Sequence, residues 1–431
     1  MKAMWFLEGG QVVCPATGIN GRFDVLIDED LIVSVLPEGQ TDLSSADGDI
    51  RRLDCSGFVV APGFVDLVAE VCDPGMTWRE DLGSASEAAA AGGFTTVVAS
   101  PKTDPVVDDP SVASDVIARS SALSGARILQ AGALTTKLEG EQLAEVGSLL
   151  EAGCVAISDG GRQVPNAAVL RRGLSYARPF NAPVFLRPGE STLESEGCMH
   201  EGLVSLQIGL RGIPAEAEEI GVSRLVALAR LTGARLHLTH VTSIGGLRAL
   251  EAGRKEGLSI TGTVPARHLV LQDRDVKESI YDTRLRLLPP LRSAPHQEAL
   301  IAAVRSGLLA GVVSDHVPWS RVEKELEFAY AKSGATGLET ALSATLYAME
   351  GDVIATVKAL SIGPAQVIGF VPRIEAGAVA DLVVFDPKAQ RTVTAPKRSR
   401  GVNEPLEGRT LLGEVQSTMV GGKLVFGPIA S

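Results

Sequence analysis

The chain has 431 residues, 45% of them hydrophobic and 21% charged, which is ample apolar material for a sizeable core. Aromatics are only 4%, so that core must be built from Ala, Val, Leu and Ile. Forty Lys and Arg against 52 Asp and Glu give a formal charge of −12, which withholds the overall attraction to phosphate backbones and anionic lipid that a basic chain has, so neither nucleic acid nor membrane is expected as a partner. The start, Met1-Lys2-Ala3-Met4-Trp5, lacks the apolar core of a signal peptide. No run approaches the ~20 apolar residues of a membrane span. The five cysteines (Cys14, Cys55, Cys72, Cys154, Cys198) are odd in number and contain no CxxC, which suits buried free thiols in a reducing cytoplasm.

From the N-terminus, short β runs come first: Gln11–Val13, Phe23–Ile27 and Leu31–Val35, separated by Gly, Asp and Pro. Eight apolar or β-branched runs follow: Phe64–Val71, Thr95–Ser100, Arg127–Leu134, Cys154–Asp159, Pro183–Arg187, Arg235–His240, Ser259–Val264 and Gly311–His316. Stretches rich in Ala, Leu and Glu lie between them. One opens at Pro214, with Glu216, Glu218 and Glu219 at the positive end of the helix dipole and Ala217, Ile220, Leu225 and Leu228 expected on one face. Strands alternating with helices imply a parallel sheet, and eight of them imply an α/β fold closed as a (β/α)₈ barrel. The C-terminal runs Ala380–Phe385 and Val415–Phe426 are again β-like. The expected division is a barrel over residues 61–369 and one small β domain assembled from residues 1–60 and 370–431.

Reactive groups in such barrels sit at the C-terminal ends of the strands. Those ends supply Val68, Glu70 and Cys72, then Lys102, Asp159, Arg187, His240, Arg267-His268 and Asp315. There is no GxxxxGK[ST] and no GxGxxG, so a nucleotide cradle is unsupported.

The chain resembles the type I dihydroorotases of the amidohydrolase superfamily over nearly its whole length. The strings that carry the resemblance are Pro62-Gly63-Phe64-Val65-Asp66, Asp73-Pro74-Gly75, Gly92-Gly93-Phe94-Thr95-Thr96 and Pro214-Ala215-Glu216-Ala217-Glu218. Further on come Thr239-His240-Val241-Thr242-Ser243, Pro289-Pro290-Leu291-Arg292, Gly337-Leu338-Glu339-Thr340-Ala341-Leu342 and Ala380-Asp381-Leu382-Val383-Val384-Phe385-Asp386-Pro387. The resemblance implies interconversion of carbamoyl aspartate and dihydroorotate, with one or two zinc ions polarising the carbonyl and activating hydroxide. It also implies a His-x-His pair on strand one, a carboxylated Lys or an Asp on strand four, a His each on strands five and six, and an Asp on strand eight. An Arg and an Asn hold the substrate carboxylate.

This chain departs from that set. The His-x-His positions hold Val68 and Glu70, and the strand-five His is Arg187. The substrate-holding Arg and Asn are Cys72 and Lys102, the Asn before Pro-Pro-Leu-Arg is Leu288, and the last His of the Asp-His-x-Pro-His string is Trp319. Asp159, His240 and Asp315 remain. Val has no lone pair and Arg is not deprotonated, so no zinc or other cofactor is expected. Arg187 is expected to stand in for the lost metal charge by pairing with two of Asp159, Asp315 and Glu70. Cys72 is read as a small semi-apolar pocket residue, since no activating His adjoins it.

The expectation is a cytoplasmic, catalytically inactive dihydroorotase homologue. The resemblance implies a structural or regulatory role beside aspartate transcarbamoylase in a hetero-oligomer, with a homo-oligomer also open. The alternative is an active amidohydrolase, a dihydroorotase or another cyclic-amide hydrolase, with an atypical or single-metal site.

Overall fold

The computed structural model describes residues 3–41, 43 and 49–428. Met1 and Lys2 of the N-terminal reading lie outside the described residues, as do residues 42, 44–48 and 429–431 of the two terminal segments.

Each of the eight central runs forms a strand: Phe64–Ala69, Phe94–Ala99, Arg127–Ala133, Ala156–Ser158, Val184–Leu186, Leu236–Thr239, Ile260–Pro265 and Gly311–Val313. Every strand pairs in parallel with the next in chain order. The first strand shows how the pattern works. Val65 and Leu67, two apart, join Val98, Ala131, Phe185 and Val313 in the barrel interior, while Phe64 belongs to the layer between sheet and helices. The ring closes at the first and last strands. There the Asp66 carboxylate accepts the Ser314 N–H at 2.8 Å and the Ser314 hydroxyl at 2.5 Å, and the Glu70 N–H donates to the His316 carbonyl at 2.8 Å. Burial pushes the Asp66 carboxyl up to about 6 despite those hydrogen bonds.

The helix that follows Pro214 runs over Ala215–Thr232 and ends on Gly233 in the left-handed region at φ 65°. Pro214 itself is the N-cap, one position before the expected first turn. Ala217, Gly221, Leu225, Leu228 and Thr232 are buried, and Ile220 is exposed. The expected face was right except for Ile220, which the 3.6-residue period carries to the far side of that stripe.

A second sheet draws strands from both ends of the chain. Its order is Lys423–Phe426, Thr410–Val420, Leu382–Thr392, Val59–Pro62, Ala3–Cys14, Ile19–Asp28 and Leu31–Pro37, with Asp49–Asp54 added beside Ala3–Cys14. It has its own core around Trp5, Val25, Ile27, Leu382 and Met419. The expected single run Val415–Phe426 is a hairpin, turned at Gly421 and Gly422 with φ of 53° and 69°. A Cβ on Gly422 would lie 1.6 Å from the Glu29 carbonyl, so only glycine fits. The Phe64 ring touches Phe94 and Phe385, tying this sheet to the barrel. All five cysteines are free and buried. No helix among the described residues is long and apolar enough to cross a membrane.

Candidate active site

The C-terminal ends of the strands surround a cavity of about 120 Å³. Val68, Glu70, Lys102, Arg187, His240, Leu288 and Asp315 all line it. This is small beside the ~300–1,000 Å³ of ordinary small-molecule pockets.

Glu70 projects from the end of the first strand into two cations. Its Oε2 accepts Arg79 Nη2 at 2.8 Å and its Oε1 accepts Lys102 Nζ at 2.7 Å. Burial opposes ionisation of Glu70, but Lys102 and Arg79 outweigh it and hold the carboxyl below its ordinary value. Arg79 is fixed in turn, donating from Nε to the Pro318 carbonyl at 3.0 Å and stacking 3.5 Å over the Trp319 ring. Glu70, Arg79 and Lys102 thus form one ionic cluster against the Trp319 ring, with Glu70 and Arg79 buried and Lys102 partly exposed. Cys72 lies beneath it, buried, with its thiol pushed up to about 12 by desolvation, which suits a packing role and not a nucleophile.

Asp315 follows the last strand in the left-handed region, at φ 44°. Its Oδ1 lies 3.3 Å from His240 Nε2, and its Oδ2 accepts Arg267 Nη2. Arg267 also donates to the Ser314 and Asp315 carbonyls, both at 2.9 Å. The other ring nitrogen of His240 is 3.4 Å from Thr263 Oγ1. Burial raises and Arg267 and His240 lower the Asp315 carboxyl, with a net downward shift.

Two expectations need correction. Arg187 does not pair with Asp159, Asp315 or Glu70. It donates in a bidentate fork to Glu194, at 3.0 and 2.9 Å, and through Nε to the Gly161 carbonyl at 2.8 Å. The fork demands a carboxylate in its own plane, and Glu194 on the short helix Ser191–Glu194 supplies it. Asp159 is not among the residues lining the cavity. It is buried, with Oδ1 on the Thr135 N–H at 2.9 Å and Oδ2 on the Thr135 hydroxyl at 2.8 Å, so it ties the ends of two neighbouring strands together. Burial pushes its carboxyl up to about 6. The charge balance that the sequence assigned to Arg187 is divided among Lys102, Arg79 and Arg267. Arg79 and Arg267 carried no role in the sequence reading. Arg267 sits at the end of the seventh strand, where its position could have found it, whereas nothing in the spacing marks Arg79.

These side chains do not fit the family's metal. Val68 offers no donor atom and Arg187 brings a positive charge. Both oxygens of Glu70 are held by cations, both of Asp159 by Thr135, and one of Asp315 by Arg267. Among the described residues no three His, Cys, Asp or Glu side chains converge as a ligand set. His240 and Asp315 are left as a hydrogen-bonded pair, able to hold a proton between them but not to polarise a carbonyl as a Lewis acid does.

A parallel eight-stranded barrel carrying its polar cluster at the strand C-termini, with a β sheet from both termini at its side, defines an amidohydrolase-type protein. The comparisons agree. Residues 57–245 match the Dihydro-orotase-like family and residues 213–425 the Amidohydrolase family. A dihydroorotase of Anaeromyxobacter dehalogenans (strain 2CP-1 / ATCC BAA-258) is 40% identical over 430 residues, covering 99% of this chain and 98% of that one. One of Citrifermentans bemidjiense is 37% identical, covering 97% and 99%. The chain therefore belongs to the dihydroorotase family. In fold it is also similar to the L-hydantoinase (dihydropyrimidinase) of Arthrobacter aurescens, with a TM-score of 0.86 at 21% identity over 100% of this chain and 98% of that one.

Proposed function

We propose that this chain is a dihydroorotase-family protein whose barrel mouth has exchanged the metal for fixed side-chain charge, and that it does not turn over dihydroorotate. The observation that supports this is the position of Glu70 between Arg79 and Lys102, 2.8 and 2.7 Å from their nitrogens. A carboxylate whose two oxygens are each held by a cation is a poor ligand for a further cation such as zinc, and the lysine that holds it stands where the family keeps a substrate-binding Asn. The proposed role is structural: a subunit assembled in the cytoplasm with aspartate transcarbamoylase. Kinship to the family supports that partner, and the five buried free thiols support that compartment.

The names of the relatives favour a second reading. Proteins called dihydroorotase align with this chain almost end to end at 37–40% identity. On that reading the chain hydrolyses or closes a cyclic amide with an atypical site in which Asp315 and His240 move the proton.

One experiment separates the two. The purified chain, from a host lacking its own dihydroorotase, is assayed with dihydroorotate and with hydantoin, before and after incubation with zinc. The first reading expects no turnover above a mock purification and no tight zinc. Turnover that is lost on Asp315→Ala would establish the second. Light scattering after size exclusion of the chain mixed with its own organism's aspartate transcarbamoylase tests the partner. Separate elution at micromolar concentration, with transferase activity unaffected, would remove that part of the proposal.

A further inference from the structure

At the end of the barrel opposite the mouth, a cavity of about 540 Å³ lies against the starts of four strands, bounded by Pro183, Arg235, Ser259 and Ala310. The apolar barrel interior around Leu67, Val98, Phe185 and Val313 fills the space between the two ends. Four cations line this basal cavity: Arg235, Arg254, Arg305 and Lys358. No Asp or Glu is among its lining residues. In a chain of net charge −12 such a segregation of charge is notable.

Each cation comes from a different element. Arg235 precedes the sixth strand, Arg254 lies in the last turn of the helix Ile244–Lys255, Arg305 in the last turn of the helix Ala294–Ser306, and Lys358 opens the segment Lys358–Ile362. Two of the guanidinium groups are fixed by neutral acceptors. Arg235 donates to the Asn181 and Val367 carbonyls at 2.7 and 2.9 Å, and Arg254 to the Gly307 and Leu308 carbonyls at 2.7 and 2.6 Å. Carbonyls orient these groups without cancelling their charge. Glu350 reaches only Arg305, at 3.6 Å, and is 84% exposed, so it screens weakly. The two helices that end here contribute about half a negative charge each. Roughly two positive charges are left unbalanced over the cavity, even with Glu350 counted in full.

We propose that this basal cavity is a binding site for a small molecule carrying two or more phosphates. Guanidinium groups held in place by carbonyls keep their charge and their remaining N–H donors for phosphate oxygens, and Lys358 adds a point charge. The cavity volume of about 540 Å³ falls within the range of small-molecule sites. The site is on the face where barrels of this kind do not carry their chemistry, so it is independent of what the mouth does.

The test is calorimetric titration of the whole chain with inorganic tripolyphosphate and, separately, with ATP, in metal-free buffer at low salt. The expected result is saturable binding at one site per chain. Arg305→Gln with Lys358→Gln should weaken it by about tenfold or more, a loss of some 1.4 kcal/mol or greater. Both side chains are exposed, and the thermal unfolding of the double variant checks that it folds. Lys102→Ala, at the other end of the barrel, should leave the affinity unchanged. Absence of saturable binding would overturn the proposal. So would affinity that survives the double variant, affinity that falls with Lys102→Ala instead, or tighter binding of a Glu-rich peptide than of either phosphate compound.

Discussion

Arg267 faces the buried Asp315 carboxylate, whose other oxygen lies 3.3 Å from His240 Nε2. Asp315 is buried, and its carboxyl is held below the ordinary value because Arg267 and His240 overcome the burial that would raise it. A carboxyl depressed in the folded state adds stability above its unfolded value of about 3.9, and that stability is lost as pH falls through the lower folded value. Arg267→Ala removes the first counter-charge and leaves Asp315 in place. Breaking a buried pair from one side costs about 3–5 kcal/mol, reduced here by the partial opening of the mouth. In the variant burial acts with less opposition, the Asp315 carboxyl rises, and protonation relieves the cost as the pH drops. The gap in Tm between the parent and Arg267→Ala should therefore be widest near pH 7 and narrow toward pH 5. An equal gap at both values would mean that Asp315 is solvated. Arg187→Ala should behave differently. It removes the counter-charge of Glu194 at the rim, which is left with the neutral Gln163 Nε2 at 2.9 Å, and leaves Asp315 and Glu70 untouched, so its Tm should depend on Glu194→Gln being present or absent in the same chain.

The helix Ala215–Thr232 shows why framework strings far apart in sequence recur together. Glu218, read from the sequence as a dipole-compensating residue, is buried. Its Oε1 accepts the Thr242 and Ser243 N–H groups at 2.8 and 2.7 Å and the Ser243 hydroxyl at 2.7 Å. Arg292 lies 3.6 Å from its Oε2. The Pro214–Glu218, Thr239–Ser243 and Pro289–Arg292 strings thus meet in one network that holds the loop after the sixth strand, and with it His240. Glu218→Ala should cost about 3 kcal/mol or more by leaving the Thr242 and Ser243 amides without their acceptor and the buried Arg292 without its counter-charge. Glu216→Ala, two residues earlier and exposed, should cost less than about 1 kcal/mol, a helix-dipole effect alone. Chemical denaturation of the two variants checks the contrast. Comparable losses would mean that the helix start, and not the network, carries the energy.

For the whole molecule, barrel closure and sheet assembly are both long-range events. Asp66 and Ser314 are 248 residues apart and join the two ends of the barrel. The second sheet places Val59–Pro62 between Ala3–Cys14 and Leu382–Thr392, so its middle cannot form without both termini. Ending the chain before Ala380 would remove three strands and open Val60 and Phe64 to solvent. The shortened protein should be insoluble or exposed to protease within the barrel, as limited proteolysis would show. A soluble, protease-resistant product would mean that the barrel stands without the sheet.

Much of this was legible in the chain itself. Eight apolar or β-branched runs separated by helical stretches pointed to the parallel strands and the barrel, because both kinds of stretch are local properties of the chain. The residue types at the strand ends were legible as well. Val68 cannot ligate a metal and Arg187 cannot shed its proton, whatever surrounds them. Tertiary structure decided which charges meet. Glu70 could have remained a free donor, but Arg79, from a loop with no marking pattern, and Lys102, from the next strand, close on it from two sides. Arg187 chose Glu194, seven residues away, over three carboxylates across the mouth, because a planar fork needs a coplanar partner within reach. Asp159 turned from the mouth because Thr135 offered it two donors in the dry space between strands. Side-chain pairing across a barrel depends on directions and distances set by closure, and those are fixed only when residues more than two hundred positions apart come together.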